Sequence, residues 1–420
     1  MKKKSFVRNV MTLMTGTAIG QILTIASAPL LTRLYSPEDF GVLGLYISII
    51  SVVIVIMTLK YELAIVLPND EKEAANLFWL SVIIITIITG ILLLLVALFR
   101  ETISNVLGVP ALSKWLWFVP ISASAMGLYN SFNYWSTRKK QFKRLSNSRV
   151  TQSSGMVGTQ LLGGVINAGT SGLVIGQIVG QLAGVGALWL QVWKEDKRLL
   201  INSFDLKQIK KLAKEYVDFP LFNSSQSLLN SLSQNAAPVL LSFFFSPIVV
   251  GYYTMALRLI KMPINLISES FRQVYFQRVS ELYNKGQNLS KELQKATLYL
   301  AAIAIIPAVL VFFIAPSTFA LVLGEEWYIA GQYASWLVVW LYGGFINRPA
   351  VSTIQILKKQ KYLLQYEIIL FVVRVVLLAF CAHYYNALIA IAIYSISGAL
   401  FNFLLIILTI FLLKENEVKR

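Results

Sequence analysis

Apolar stretches recur along the whole chain, and several are long. Residues 79–99, 299–315 and 387–413 are each close to or above the roughly 20 residues that carry a helix across a bilayer. Polar, basic and proline-containing segments separate them. This pattern predicts helices over residues 9–34, 39–66, 74–99, 113–136, 148–167, 171–193, 218–243, 247–275, 293–315, 328–356, 362–383 and 386–413. The expected fold is therefore all-α and integral to a membrane, with about twelve transmembrane helices and no room for a sizeable soluble domain. One segment reads differently. In residues 204–217, Phe204, Leu206, Ile209, Leu212, Ala213 and Tyr216 recur at helical spacing opposite Lys207, Lys210, Lys211 and Lys214, the pattern of an amphipathic helix lying on a membrane surface.

The polar interruptions repeat. Ala28-Pro29 precedes Ser36, Pro37 and Gly41, and Ala237-Pro238 precedes Ser246, Pro247 and Gly251, so the Ser-Pro…Gly element returns after 210 residues, half the chain. Six helices per copy start each copy on the same side. The expected architecture is two six-helix bundles related by a pseudo-two-fold axis along the membrane normal, residues 1–202 and 203–420, the second preceded by the surface helix.

Composition supports lipid as the solvent: 56% of the 420 residues are hydrophobic and 14% charged, against about a quarter charged in soluble domains. A formal charge of +17 would suggest nucleic acid in a soluble protein, but its placement decides otherwise. Segments 2–8, 138–149, 194–214, 285–295, 358–361 and 414–420 hold 26 basic residues and fall on one side of the expected topology; the other side carries Arg33, Arg100 and Lys114. By the positive-inside rule both termini are cytoplasmic, and the basic loops face anionic lipid headgroups. The basic amino terminus resembles a secretory signal, but the apolar segment after it is too long, contains Pro29 and Arg33, and lacks a small-residue cleavage pattern. Cys381 and His383 are the single cysteine and histidine, so neither an internal disulfide nor a Cys/His metal cluster is available. No metal and no cofactor is expected.

Polar residues inside the spans mark candidate chemistry. Gly16, Gly20, Gln21, Ser27, Pro29 and Arg33 interrupt the first helix, and Asn223, Gln226, Asn230 and Gln234 form a polar stripe on the seventh, too dense to face lipid. Both suit the lining of a polar cavity. Gly172, Gly176, Gly180 and Gly184 form overlapping G-x-x-x-G steps, read as close helix packing within a bundle. Intramembrane charges suggest function: Lys60 and Glu62, Arg258, Lys261 and Glu269, Arg348, and Glu367 and Arg374. Cations outnumber anions. Arg258 and Lys261, three apart, share a helix face and suit phosphate oxygens. Arg374, at mid-span in an apolar run, has the weakest structural excuse. Glu62 and Glu367 are candidates for ion coupling.

Enzyme signals are missing. There is no P-loop, and the acidic cluster Asp70-Glu71-Lys72-Glu73 reads as a solvated loop and helix start rather than a Mg²⁺ site of a glycosyltransferase. The outward connections are too short for the catalytic loop of a polysaccharide polymerase.

The segments Asn9 to Pro29, Leu31-Thr-Arg-Leu-Tyr-Ser-Pro-Glu-Asp-Phe-Gly-Val-Leu-Gly-Leu-Tyr46 and Lys60-Tyr-Glu-Leu-Ala-Ile-Val-Leu-Pro68 resemble the start of polysaccharide (O-antigen) flippases of the multidrug/oligosaccharidyl-lipid/polysaccharide (MOP) exporter superfamily. The sequence-specific part covers mainly residues 5–80. The resemblance implies a cationic cavity between two bundles, in which Lys60, Arg258, Lys261 and Arg374 bind substrate. The implied cargo is an undecaprenyl-pyrophosphate-linked oligosaccharide, an O-antigen or capsule repeat unit, moved across a bacterial inner membrane. Implied partners are membrane lipids, a polysaccharide polymerase and a chain-length regulator, with no nucleic acid. A drug or metabolite antiporter of the same superfamily is the alternative, disfavoured by the surplus of intramembrane cations; a membrane glycosyltransferase or polymerase is the second.

Overall fold

Proline removes a backbone donor and crowds the turn before it, and several helix breaks in this chain fall beside prolines. A computed structural model describes the backbone of residues 3–418 except 286 and 358, and the side chains of residues 15–414 except 266, 269, 270, 273, 284, 286 and 358. The side chains of Glu269, of the basic residues in 2–8 and of Lys419 and Arg420, together with Lys358, thus lie outside the described residues. The chain forms two compact units, Met1–Phe243 and Phe244–Arg420.

In the first unit the helices are α1 (Lys3–Ala26), α2 (Ala28–Leu34), α3 (Pro37–Ile56), α4 (Glu71–Val106), α5 (Leu112–Leu116), α6 (Val119–Arg138), α7 (Phe142–Val165), α8 (Thr170–Asn202), α9 (Leu206–Glu215) and α10 (Ser225–Phe244). The second unit holds α11 (Pro247–Asn284), α12 (Leu289–Leu323), α13 (Tyr328–Ile346), α14 (Arg348–Ile356), α15 (Gln360–Tyr384) and α16 (Ala387–Val418). By length and composition, α3, α4, α8, α12, α15 and α16 can each cross a membrane. Helices α1, α6, α7, α10, α11 and α13 are comparably long, 19 to 38 residues, with more polar, aromatic or small residues in their sequences.

Four expected continuous helices are broken, the first of them, over 9–34, at Ser27, two residues before Pro29. The helix expected over 39–66 stops at Ile56, turns through Leu59 (φ 48°) and Lys60 (φ 64°), and resumes as a 3₁₀ turn, Tyr61–Val66. Two successive left-handed non-glycine residues cost about 1–2 kcal/mol each. Burial of Met57, Thr58, Ala64 and Ile65 around them holds the turn in place. The helix expected over 328–356 divides at Asn347, two residues before Pro349. The helix expected over 113–136 divides into α5 and α6 ahead of Pro120.

The repeated Ser-Pro elements open α3 and α11. The first is a capping box: Ser36 Oγ accepts from the Asp39 N–H (3.3 Å) and the Asp39 carboxylate accepts from the Ser36 N–H (3.1 Å). At Ser246 the side chain makes no cap bond. Its third residue onward is Val249, which has no oxygen to complete the box.

The glycine ladder of α8 packs on α7. A Cβ on Gly180 would stand 2.6 Å from Met156 Cβ and 2.8 Å from the Gln152 carbonyl oxygen, and one on Gly163 of α7 would stand 2.6 Å from Gly172 Cα. Only glycine permits backbones this close. At the far end of α8, Arg144 bridges back from α7, donating Nη1 to Asp196 Oδ2 (2.8 Å) and Nη2 to Glu195, while Trp135 Nε1 donates to the same Asp196 oxygen. Arg138 donates to the carbonyls of Ile65, Pro68, Asn69 and Asp70, and Arg149 to Thr17. These three cations of the basic 138–149 segment are therefore engaged inside the protein, beyond any role at lipid headgroups. The amphipathic segment forms α9, capped by Asp205, with Ile209 and Leu212 buried against the α4–α6–α8 core.

Candidate functional site

The most unusual side chain is Arg374, midway along α15 and 4% exposed. Its guanidinium carbon lies 4.1 Å from the ring centroid of Trp340 on α13 and 3.6 Å from that of Tyr394 on α16. The two rings meet edge to face, 5.8 Å apart at 74°, and the cation occupies their corner. Space for it comes from Gly398, one turn beyond Tyr394: a Cβ there would stand 2.7 Å from Trp340 Cδ1 and 3.2 Å from Arg374 Cζ. Among the described residues Arg374 has no carboxylate partner, and its Nε and Nη2 make no hydrogen bond. Insertion of an arginine at a span centre costs about 2.5–3.5 kcal/mol. Two desolvated cation–π contacts, about 2 kcal/mol each, are of the size needed to offset that. The rings hold the charge without using its N–H donors.

Other polar groups of the second unit adjoin it. Tyr253 of α11, fully buried, lies beside both Tyr394 and Arg374, its hydroxyl close to that of Tyr394 but short of full hydrogen-bonding geometry. Lys261 of α11 is within electrostatic range of Arg348 and Arg374, so three cations share one neighbourhood. Arg258 is half-buried one turn earlier on α11. Glu367 is half-buried two turns before Arg374, beside Tyr366. Helices α11, α12 and α13 also enclose an apolar groove of about 380 Å³, shaped by Pro263 and Pro307 and walled by Ile264, Ile303, Phe319 and Tyr342.

In the first unit, Lys60 is the second residue of the left-handed turn, with its Nζ 3.9 Å from Glu62 Oε1. Glu62 is 2% exposed, and its Oε2 has no partner among the described residues. Gln21 of α1 is half-buried with its carbonyl oxygen unpartnered, and Arg33 is exposed near the end of α2. The expected amide stripe is present: Asn223, in a π turn at Phe219–Ser224, Gln226 and Gln234 are exposed and Asn230 is half-buried. Gln234 Nε2 donates to Asn230 Oδ1 (2.7 Å). Their spacing keeps them on one helix face.

The structure thus brings Lys261 and Arg374 together with Arg348, and Lys60 with Glu62. Sequence reasoning missed Trp340, Tyr394, Tyr253 and Gly398, because aromatic and small residues in an apolar helix carry no positional signal until helices α11, α13, α15 and α16 are assembled. Among the described residues no group of three or more His, Cys, Asp or Glu could hold a metal ion.

This helical arrangement is similar to that of solved transporters of the MOP superfamily. A lipid II flippase, MurJ, in an inward closed conformation superimposes with a TM-score of 0.70 at 16% identity, covering 94% of this chain and 86% of that one. A MOP superfamily transporter from Pyrococcus furiosus, whose structure is described as having a binding pocket of reversed polarity, gives 0.64 at 16% identity over 98% and 96%. An outward-facing multidrug resistance MATE family transporter gives 0.60 at 17% identity over 98% and 96%. These likenesses establish the fold, that of a multi-pass membrane protein. A family model described as polysaccharide biosynthesis protein matches residues 30–332, and the chain belongs to that family, as the resemblance of residues 5–80 implied. No curated protein sequence matches the chain.

Proposed function

We propose that this protein is a flippase that carries an undecaprenyl-pyrophosphate-linked oligosaccharide, an O-antigen or capsule repeat unit, from the cytoplasmic to the outer leaflet of a bacterial inner membrane. The observation that carries this reading is Arg374, a buried cation with unused donors, near Lys261 and Arg348. A transporter that extrudes cationic drugs gains nothing from such a group. A pyrophosphate gains charge-assisted, bidentate hydrogen bonds.

In this reading twelve spans form two six-helix lobes, residues 1–202 and 203–420, with cytoplasmic termini. Arg258, Lys261, Arg374 and Lys60 hold the pyrophosphate. The amides Gln21, Asn223, Gln226, Asn230 and Gln234, with Arg33, meet sugar hydroxyls, which need donors and acceptors together. The prenyl chain stays in apolar surroundings and the lobes rock by alternating access. Outward movement of roughly two negative charges across an inside-negative membrane gains about 2.3 kcal/mol per charge per 100 mV, and Glu62 or Glu367 couples an ion to the return. A polymerase and a chain-length regulator receive the product.

The test is reconstitution into vesicles of a fluorescent lipid-linked oligosaccharide, scored by its protection from an external quencher. Transfer between leaflets faster than in protein-free vesicles is expected. Transport of a lipophilic cation instead, with no transfer of the lipid-linked sugar, assigns the chain to drug export.

A further inference from the structure

Around Arg374 the unpartnered polar atoms all carry a proton to donate. Its Nε and Nη2 are donors that make no hydrogen bond, and the hydroxyls of Tyr253 and Tyr394 beside it lie close to one another but short of full hydrogen-bonding geometry, with no other partner. Tyr253 is 0% exposed, Tyr394 3% and Arg374 4%. Buried polar groups are satisfied in nearly all native structures, so several unsatisfied donors converging on one place from α11, α15 and α16 point to something that brings acceptors and negative charge.

The aromatic corner directs the cation. With the guanidinium against the Trp340 and Tyr394 rings, its N–H edge is what remains to bind, and that edge matches two oxygens of a phosphate group. Phenol hydroxyls add neutral, directional donors that hold an oxyanion without adding charge repulsion between cations. A sugar is a poorer fit, because its hydroxyls must also donate, whereas a phosphate oxygen only accepts and a guanidinium only donates.

We propose that Tyr253, Tyr394 and Arg374 form a single oxyanion site in the second unit that takes one phosphate group of the lipid-linked cargo, with Trp340 as the residue that positions Arg374. This rests on the flippase reading and extends it to residues that no cationic-cavity argument selects. Because all three groups are buried here, the phosphate enters only when α11 or α16 moves, so occupancy of the site is tied to the conformational cycle. Gly398 and Pro263, in α16 and α11, place a close-packed point and a missing backbone bond on the two helices that must part.

The test uses the full chain in lipid nanodiscs and three probes: farnesyl pyrophosphate, inorganic pyrophosphate and farnesol. Tyr253→Phe and Tyr394→Phe are each expected to weaken farnesyl pyrophosphate binding roughly tenfold, the loss of one charge-assisted hydrogen bond, and to leave farnesol binding unchanged. The thermal midpoint without probe should fall little, since the two hydroxyls meet only each other and short of full hydrogen-bonding geometry. Trp340→Leu should weaken binding and Trp340→Phe restore most of it. Inorganic pyrophosphate bound as tightly as the prenylated probe, with the same tyrosine dependence, identifies the anion alone as the ligand; weaker binding identifies the lipid headgroup. If Arg374→Lys weakens binding while both tyrosine variants stay within twofold, the tyrosine site is wrong and the flippase reading stands. A lowered midpoint without a change of affinity also overturns it, by making the hydroxyls structural. A wild-type protein that binds none of the probes overturns both.

Discussion

Arg374 and Tyr394 lie on neighbouring helices with the guanidinium carbon 3.6 Å from the ring centroid, and no carboxylate balances the charge among the described residues. Polar side chains in a span are normally exchanged between helices to satisfy one another. Here the rings of Tyr394 and Trp340 support the cation, and its Nε and Nη2 make no hydrogen bond.

That packing makes Gly398 a sensitive position. Gly398→Ala should cost about 1–3 kcal/mol, because the new methyl displaces Trp340 or Arg374. Gly186→Ala in α8, where a Cβ meets nothing within 4 Å, should be neutral or stabilising by up to about 1 kcal/mol. Thermal midpoints of the purified variants measure the contrast, and transport should fall only for Gly398→Ala.

The Arg144 cluster is expected to set the stability of the first unit. Arg144→Ala leaves Asp196, 13% exposed, without its cation, and should cost about 3 kcal/mol, near the lower end for a broken buried pair. Glu195→Ala removes the half-exposed partner and should cost about 1 kcal/mol or less. Denaturation of the two variants in the same detergent checks the ranking.

The glycine ladder gives a steric prediction. Gly180→Val in α8 must drive the helix from the α7 backbone, since the Gln152 carbonyl and Met156 block the added carbons. Loss of folded, monodisperse protein on size exclusion is the expected result; Gly158→Val, in open space on α7, should behave as wild type.

Much of the fold is legible in the sequence because lipid imposes a simple rule: apolar runs of sufficient length become helices. The G-x-x-x-G run of α8 is read correctly as packing for the same reason. The breaks are harder. Nothing in Leu59-Lys60 demands left-handed backbone, and the turn exists because the side chains around it are buried. The candidate site divides along the same line. Arg374 stands out in sequence as a charge in an apolar run, whereas Trp340, Tyr253 and Tyr394 look like any other aromatic residues of a span. Their role depends on which helices adjoin α15, and no local pattern carries that.

Glu62 tests ion coupling apart from substrate binding. Its buried carboxylate has one oxygen 3.9 Å from Lys60 Nζ and the other without a partner among the described residues. Glu62→Gln should leave farnesyl pyrophosphate affinity within twofold while making the transport rate insensitive to an imposed pH gradient. A variant that still responds to the gradient assigns coupling elsewhere, with Glu367→Gln the next to measure.

The most direct measurement of the central claim is the initial rate at which a fluorescent undecaprenyl-pyrophosphate-linked oligosaccharide changes leaflet in vesicles containing wild-type protein or the combined Arg258→Ala, Lys261→Ala, Arg374→Ala variant. The account predicts a rate at least tenfold lower for the variant, with the protein folded and inserted to the same extent. Equal rates would contradict it.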